Sequence, residues 1–345
     1  MSVRVAIVHD SPSVRAALRV ALEADEDLVV VGEADDGDRA VALVRDARAD
    51  VLLMDVVMPR LDGYAATRAV MAERPTPIVL VSSVVNPRDV DVAMNALKSG
   101  ALAIVETIPS PLDPSYRFRR GALAHLVRSL AAVPIASKLR TDYDDMPTPA
   151  PIPRAQRRRV IGVAASTGGP GVLAAMLHAL RREELPPVLV VQHIAPGFSE
   201  GFARWLGDAS ERSTALAEHG TVVEHGRVYV ARDDRHLEID DQGRLIVRAT
   251  ASVGRFRPSA TPLFASIGRV YGPEALGIVL SGMGDDGAEG AIVLRAAKGK
   301  LIVQDEGSSI VFGMPRAALE RAGAEAVLSA AHMPAWIRDW LASGP

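Results

Sequence analysis

Three residues far apart in this chain could together perform acyl transfer: the hydroxyl of Ser166, the imidazole of His193 and the carboxylate of Asp286. A serine hydroxyl is a weak nucleophile at neutral pH. It needs a base to take its proton, and the base needs a carboxylate to fix its tautomer and balance its charge. Each of the three follows an apolar run that reads as a buried strand, Val160–Ala165, Val188–Gln192 and Ala275–Leu280. In a parallel sheet the carboxyl ends share one edge, which places all three within reach of one another. Taken singly, each has a structural alternative. Ser166 or Thr167 could cap the helix that starts at Pro170 or cradle a phosphate, His193 could be a satisfied structural histidine, and Asp286 could cap the helix after it. Their coincidence at one edge favours the triad.

The local sequences suit that role. In Val160-Ile161-Gly162-Val163-Ala164-Ala165-Ser166-Thr167-Gly168-Gly169-Pro170, small residues before the serine and two glycines after it permit a tight strand-to-helix turn. Amide donors at the helix start then face the displayed hydroxyl. In Gly282-Met283-Gly284-Asp285-Asp286-Gly287 the glycines let backbone amides approach a ligand, so Met283 to Gly287 is a candidate oxyanion loop. A calcium loop fits less well, because the oxygen ligands are few and wrongly spaced.

A second cluster lies earlier. Strand and helix patterns alternate through Arg4–Val8, Pro12–Ala24, Leu28–Glu33, Asp38–Ala47, Val51–Met54, Gly63–Glu73, Ile78–Val81, Arg88–Ser99, Leu102–Val105 and Pro114–Val133. That rhythm predicts a parallel sheet with helices on both faces, and Asp10, Asp55 and Ser82 fall at its carboxyl edge. Each could cap a helix or form a turn. Together they suit a phosphoryl-accepting site with a divalent ion, because Mg²⁺ prefers carboxylate and carbonyl oxygens.

Two domains are the expectation for 345 residues. The formal charge of −3 argues against binding driven by nucleic-acid phosphates. The chain has no cysteine, which excludes disulfides and thiolate chemistry, and no run suited to a signal peptide or a membrane span. A soluble cytoplasmic protein without membrane insertion is the default. Periodicity fails from about Pro134 to Gln156, where prolines and charges interleave, as in a linker. Arg154, Arg157, Arg158 and Arg159 close it and read as a solvated entry to the next domain, with an anion site as the alternative. Further on, Thr221–Val223, Arg227–Val230 and Arg244–Val247 read as short strands, two of them bracketing a hairpin turn at Asp240–Gly243. A helix at Ala288–Ala297 and a strand at Lys300–Val303 follow.

The first part resembles the receiver domain of bacterial response regulators. The carrying residues are His9-Asp10-Ser11, Leu53-Met54-Asp55-Val56-Val57-Met58-Pro59-Arg60-Leu61-Asp62-Gly63 and Val81-Ser82-Ser83. The resemblance implies Asp55 as the phosphorylated residue, Asp10 as a metal-side acid with Asp55, Ser82 as the switch hydroxyl, Mg²⁺ for phosphorylation and a chemotaxis histidine kinase as phosphodonor. Two departures stand out. His9 occupies the place of a second acid and is a poor partner for a hard cation. The family's lysine before a proline falls on Thr107 or Ile108, so the cation that would neutralise an acyl phosphate is missing, and Lys98 lies nearby in sequence.

The later part is similar to the catalytic domain of chemotaxis protein-glutamate methylesterases, and the whole chain follows that family's order. The match rests on Ala165 to Gly169, Gln192-His193-Ile194-Ala195-Pro196-Gly197-Phe198, Asp234-Arg235-His236-Leu237, Arg257-Pro258-Ser259, Gly282 to Gly287 and Gln304-Asp305-Glu306-Gly307-Ser308-Ser309. It implies Ser166 as nucleophile, His193 as base and Asp286 rather than Asp285 as orienting acid, with Thr167 and Met283 lining the site and no cofactor for catalysis. Arg232 and Thr261 stand where the family often has proline and aspartate. The implied fold is a flavodoxin-like (βα)5 receiver over residues 1–133, a linker over 134–157, and a doubly wound, mainly parallel α/β catalytic domain with a small antiparallel hairpin over 158–345. The implied activity is hydrolysis of γ-glutamyl methyl esters, and deamidation of glutamines, on methyl-accepting chemotaxis receptors. In that family pattern the unmodified receiver covers the active-site edge, and phosphorylation shifts the population toward an open arrangement in which a receptor helix docks. The rival readings are a non-catalytic signalling adaptor with a degenerate receiver, and a nucleotide-binding module using Thr167-Gly168-Gly169, for which no further glycine fingerprint appears.

Overall fold

The computed structural model describes residues 2–82, 87–132 and 159–343, and the chain divides into two compact units, Met1–Arg140 and Thr141–Pro345. Ser83, the proline-punctuated segment 134–157 and the arginines Arg154, Arg157 and Arg158 lie outside the described residues. No helix among the described residues is long and apolar enough to cross a membrane.

The first unit runs β1 (Val3–Val8), α1 (Pro12–Glu23), β2 (Leu28–Ala34), α2 (Ala40–Asp46), β3 (Val51–Asp55), α3 (Gly63–Glu73), β4 (Ile78–Ser82), α4 (Pro87–Lys98), β5 (Ala103–Glu106) and α5 (Tyr116–Ala131). Its sheet is parallel, in the order β2-β1-β3-β4-β5. Strands covered on both faces read as unbroken apolar runs, and β3 and β4 are buried along their whole length. The order reverses between β1 and β3, so a crevice opens beyond their carboxyl ends, where Asp10 and Asp55 stand. The helix expected from Asp38 starts instead with a 3-10 turn, Gly37–Arg39. Asp36 caps that turn through the Asp38 amide and also accepts the amides of Arg60 and Leu61, both at 2.9 Å, which ties its own loop to the one that follows Asp55.

The second unit contributes β6 (Val160–Ala165), β7 (Val188–Gln192), β8 (Thr214–Leu216), β9 (Val228–Val230), β10 (His236–Ile239), β11 (Leu245–Arg248), β12 (Ala275–Val279), β13 (Lys300–Gln304) and β14 (Ala326–Leu328). Seven of them form one parallel sheet in the order β14-β13-β12-β6-β7-β9-β8, while β10 and β11 pair antiparallel. The chain enters at β6, builds outward through β7, and returns to β6's other side with β12. The crevice of this sheet therefore lies beyond β6 and β12, with β7 alongside.

Three local expectations need correction. Val228–Val230 is not an arm of the hairpin: all three residues are buried, and they join the parallel sheet between β7 and β8. The turn at Asp240–Gly243 holds, with Asp240 accepting the amides of Gln242 at 2.9 Å and Arg244 at 2.8 Å, but the arm before it is His236–Ile239. Thr221–Val223 makes only an isolated bridge, Val222 to Arg244. Arg159 is not solvated. Its guanidinium donates to Glu274 and to the carbonyls of Trp340, Leu341 and Ser343 at 2.7 to 3.0 Å and lies over the Trp340 ring. Because its donors are satisfied, burial is tolerable, and the strap holds the last helix, Met333–Ala342, to the start of β6.

Candidate active site

Ser166 follows the last residue of β6 at the sheet's crevice. Its amide donates to the Ser281 carbonyl at 3.0 Å, and its own carbonyl accepts from the Gly169 amide at 2.9 Å and from Gln192 Nε2 at 3.0 Å. The turn needs Gly168 at φ +77°, a left-handed conformation that opens the helix Gly169–Ala179. A side chain at Gly282 would put its Cβ 2.8 Å from Ser166 Cβ and against the sulfur of Met314. Only glycine lets the Ser281–Gly287 loop pass so close to the serine.

His193 extends β7 by one residue, and its amide donates to the Ala165 carbonyl at 2.9 Å. Ala165 pairs with Gln192, so Ser166 and His193 leave neighbouring strands at the same level, about one interstrand spacing of 4.8 Å apart in backbone. Gln192 Nε2 donates to both their carbonyls, at 3.0 and 2.9 Å, and fixes their relative height. The imidazole stacks on Phe256, with centroids 4.2 Å apart and planes within 5°.

His193 Nε2 lies 2.9 Å from Asp286 Oδ2. Asp286 is buried, and it also accepts from the Ala260 amide at 2.7 Å, Ser259 Oγ at 2.5 Å and Thr261 Oγ1 at 3.3 Å. Burial alone would push this carboxyl up, but the hydrogen bond and charge of His193, with the Ser259 and Ala260 donors, hold it below the ordinary carboxylate range. Asp286 is therefore ionised at neutral pH, accepts a hydrogen bond from Nε2–H, and leaves the lone pair on Nδ1. Nδ1 is buried and has no hydrogen-bond partner among the described residues.

The structure thus joins His193 to Asp286 and leaves the Ser166 hydroxyl without a hydrogen bond among the described residues. Hydroxyl–imidazole contacts of this kind often tighten only around a substrate. Asp285, by contrast, is exposed and paired with Arg321 at 2.7 Å. Thr167 is buried, with its carbonyl held by Ser281 Oγ at 2.7 Å, and Met283 is half-buried after Gly282. The backbone amides of Thr167, next to the serine in sequence, and of Met283, which follows Gly282, donate no hydrogen bond among the described residues. A cavity of about 150 Å³ lies beside the imidazole, lined by Gln192, Ser199, Asp233, Phe256 and Arg257 among others.

Several residues here escaped the sequence reading. Phe256, Gln192 and Ser259 act through contacts that form only on folding, although Gln192 and Ser259 stand inside recognised motifs. Thr261, singled out only as a departure, donates to Asp286 and accepts the Gly287 amide at 3.1 Å. His236 is a structural histidine, accepting the Ser259 amide at 3.2 Å and contacting the Ala251 carbonyl at 3.1 Å.

In the first unit, His9 is 3% exposed, and its Nδ1 lies 3.2 Å from Asp10 Oδ1 and 3.3 Å from Asp55 Oδ2. Burial and the neighbouring Asp10 charge push the Asp55 carboxyl up to about 7. Burial lowers the His9 imidazole against the pull of Asp10. Ser82 is buried and follows Val81, the residue paired with Asp55. Lys98 is exposed at the end of α4 and pairs with neither carboxylate. No arginine or lysine side chain among the described residues takes the place of the missing cation.

Residues 161–337 match the family model described as CheB methylesterase, and residues 5–106 match that of the response regulator receiver domain. Protein-glutamate methylesterase/protein-glutamine glutaminase 3 of Anaeromyxobacter dehalogenans (strain 2CP-C) is 44% identical, with 97% of this chain and 99% of that protein covered. Protein-glutamate methylesterase/protein-glutamine glutaminase 4 of Myxococcus xanthus (strain DK1622) is 43% identical over 90% of this chain and 89% of its own. Among solved structures, the CheB methylesterase catalytic domain of Thermotoga maritima is 31% identical with a TM-score of 0.51, covering 53% of this chain and 98% of that domain.

Proposed function

Because the chain belongs to the CheB methylesterase family, we propose that its second unit hydrolyses γ-glutamyl methyl esters, and deamidates glutamines, through Ser166, His193 and Asp286. His193 Nδ1 takes the Ser166 proton as Oγ attacks the γ-carbonyl carbon. The oxyanion forms between the Thr167 and Met283 amides, and the imidazolium returns its proton to the departing methoxide. Water, deprotonated by the same nitrogen, then releases glutamate from the acyl-enzyme. A glutamine loses ammonia in place of methanol. These residues supply nucleophile, base and oxyanion donors, so the hydrolysis needs no cofactor. The observation that carries the reading is the 2.9 Å contact of Nε2 with a carboxylate held ionised, which leaves Nδ1 as the proton acceptor.

The substrates are methyl-accepting chemotaxis receptors, and the first unit regulates the second. Incubation with a methylated receptor fragment should release methanol in proportion to enzyme. A receptor that binds without methanol release would instead make the protein a signalling adaptor.

Asp55 is the phosphoacceptor position, and a chemotaxis histidine kinase the phosphodonor. Mg²⁺, the ion used by receivers, seeks an all-oxygen shell, and an imidazole nitrogen facing Asp10 and Asp55 does not fit it. A charge-assisted hydrogen bond from the absent lysine is worth about 1.5–3 kcal/mol, so labelling should fall roughly 10- to 150-fold below that of a receiver with intact acids and lysine. Acetyl phosphate with Mg²⁺ should therefore label Asp55 only weakly. Strong Mg²⁺-dependent labelling that Asp55→Asn abolishes would reject this.

A further inference from the structure

The cluster at the carboxyl ends of β1 and β3 has a donor set of its own. His9 Nδ1, Asp10 Oδ1 and Asp55 Oδ2 lie within 4.8 Å of one another. The Ser11 amide donates to His9 Nδ1 at 3.1 Å, so that nitrogen carries a lone pair and offers no proton to the carboxylates. The two carboxylate oxygens stand 3.2 and 3.3 Å from it. A cation seated among the three groups would take the Nδ1 lone pair and both carboxylate oxygens at once. Nearby protein cations are committed elsewhere: Arg15 donates to the carbonyls of His9 and Asp10, at 2.6 and 3.1 Å, and pairs with Glu33 at 3.3 Å. His9 is buried, which fixes its ring in place.

We propose that His9, Asp10 and Asp55 form a site for a borderline divalent transition cation of the Zn²⁺ type, in place of Mg²⁺. Two carboxylates and a neutral imidazole match a divalent charge and the mixed nitrogen and oxygen preference of such ions. Bonds of about 2.0–2.1 Å in a tetrahedral shell set neighbouring ligands roughly 3.4 Å apart, close to the 3.2 and 3.3 Å seen here. An octahedral Mg²⁺ shell of similar bond length would bring them to about 2.9 Å. The cation would displace the Ser11 amide from Nδ1, and water would complete the shell.

The test uses the full chain, stripped of metal. Calorimetric titration should show Zn²⁺ binding at least about 100-fold more tightly than Mg²⁺, and Co²⁺ should give the intense visible bands of a four-coordinate ion. His9→Asp should lower Zn²⁺ affinity about 10- to 100-fold and raise that for Mg²⁺. Asp10→Asn, at a side chain 46% exposed and so harmless to the fold, should also weaken Zn²⁺ and alter the Co²⁺ bands. Equal or tighter Mg²⁺ binding would overturn the proposal. So would Zn²⁺ affinity and Co²⁺ bands that stay unchanged in both variants, since the ion would then sit on other histidines.

Discussion

Ser166→Ala should abolish methanol release while leaving the protein as stable as before. Removing the nucleophile of a serine triad lowers kcat by on the order of 10⁵- to 10⁶-fold, because base and oxyanion donors have nothing to activate. The fold should not notice. Ser166 is held by its backbone, through Ser281, Gly169 and Gln192, while its hydroxyl makes no hydrogen bond among the described residues. Its loss therefore strands no buried partner and opens only a small gap. Initial rates on a methylated receptor fragment, beside thermal melts of both proteins, measure the two effects separately. A melting temperature within about 2 °C of the parent, with activity gone, is the expected pair. Activity above about one per cent of the parent's is incompatible with Ser166 as nucleophile. A large fall in stability would mean that the hydroxyl serves the fold after all.

How far the sequence carried depends on where the information for each feature lies. The central strands of both sheets were legible because strands covered on two faces read as apolar runs, as at Val51–Asp55 and Ala275–Val279, whereas the short, partly exposed strands Thr214–Leu216 and Ala326–Leu328 at the edges of the second sheet were not. Residues displayed at the ends of such runs were legible for the same reason: Asp55 closes one, Ser166 and His193 directly follow one, and Asp10 stands two residues past one. The helix Ala260–Tyr271 was not seen, although Ser259 caps it and seven of its residues from Ala260 to Gly268 are buried. Thr261, Pro262 and Ser266 break its apolar rhythm, and its role, closing one side of the crevice with donors for Asp286, is set by tertiary packing. The arm His236–Ile239 was hidden because its alternation of His236 and Glu238 with Leu237 and Ile239 spans only four residues, too short a stretch to stand out from a loop.

Contacts between distant segments were the least legible. Phe256 reads as a lone aromatic in a loop of arginines, and nothing in that stretch says that it will lie flat on an imidazole. Arg159 looks like the end of a basic run, yet the last helix supplies acceptors 181 to 184 residues away. The departures at His9 and Thr261 were visible as letters, but their meaning needed coordinates. His9 brings nitrogen to a pocket built for oxygen, whereas Thr261 adds one more donor to the carboxylate behind the base.

That carboxylate yields the second large effect, and its two variants should differ in an informative order. Asp286→Ala removes the acceptor from His193 Nε2 and leaves the Ala260 amide and Ser259 hydroxyl unpaired in a buried site. The imidazole then loses its tautomer, its orientation and its counter-charge together, and kcat should fall on the order of 10⁴-fold. Asp286→Asn keeps most of the geometry. The Ala260 amide is an obligatory donor to Oδ2, so the asparagine carbonyl must take that position and face Nε2, while its amide turns to the hydroxyls of Ser259 and Thr261, which can accept. The proton stays on Nε2 and the lone pair on Nδ1. Only the charge that steadies the imidazolium is lost. At the effective dielectric of a partly buried pair, a unit charge at about 4 Å is worth about 4 kcal/mol, or roughly 10³-fold in rate. Steady-state kinetics should therefore rank the parent above Asn and Asn above Ala, with KM for the receptor fragment little changed in either. An asparagine variant as poor as alanine would mean that its amide has turned toward His193, moved the proton to Nδ1 and silenced the base.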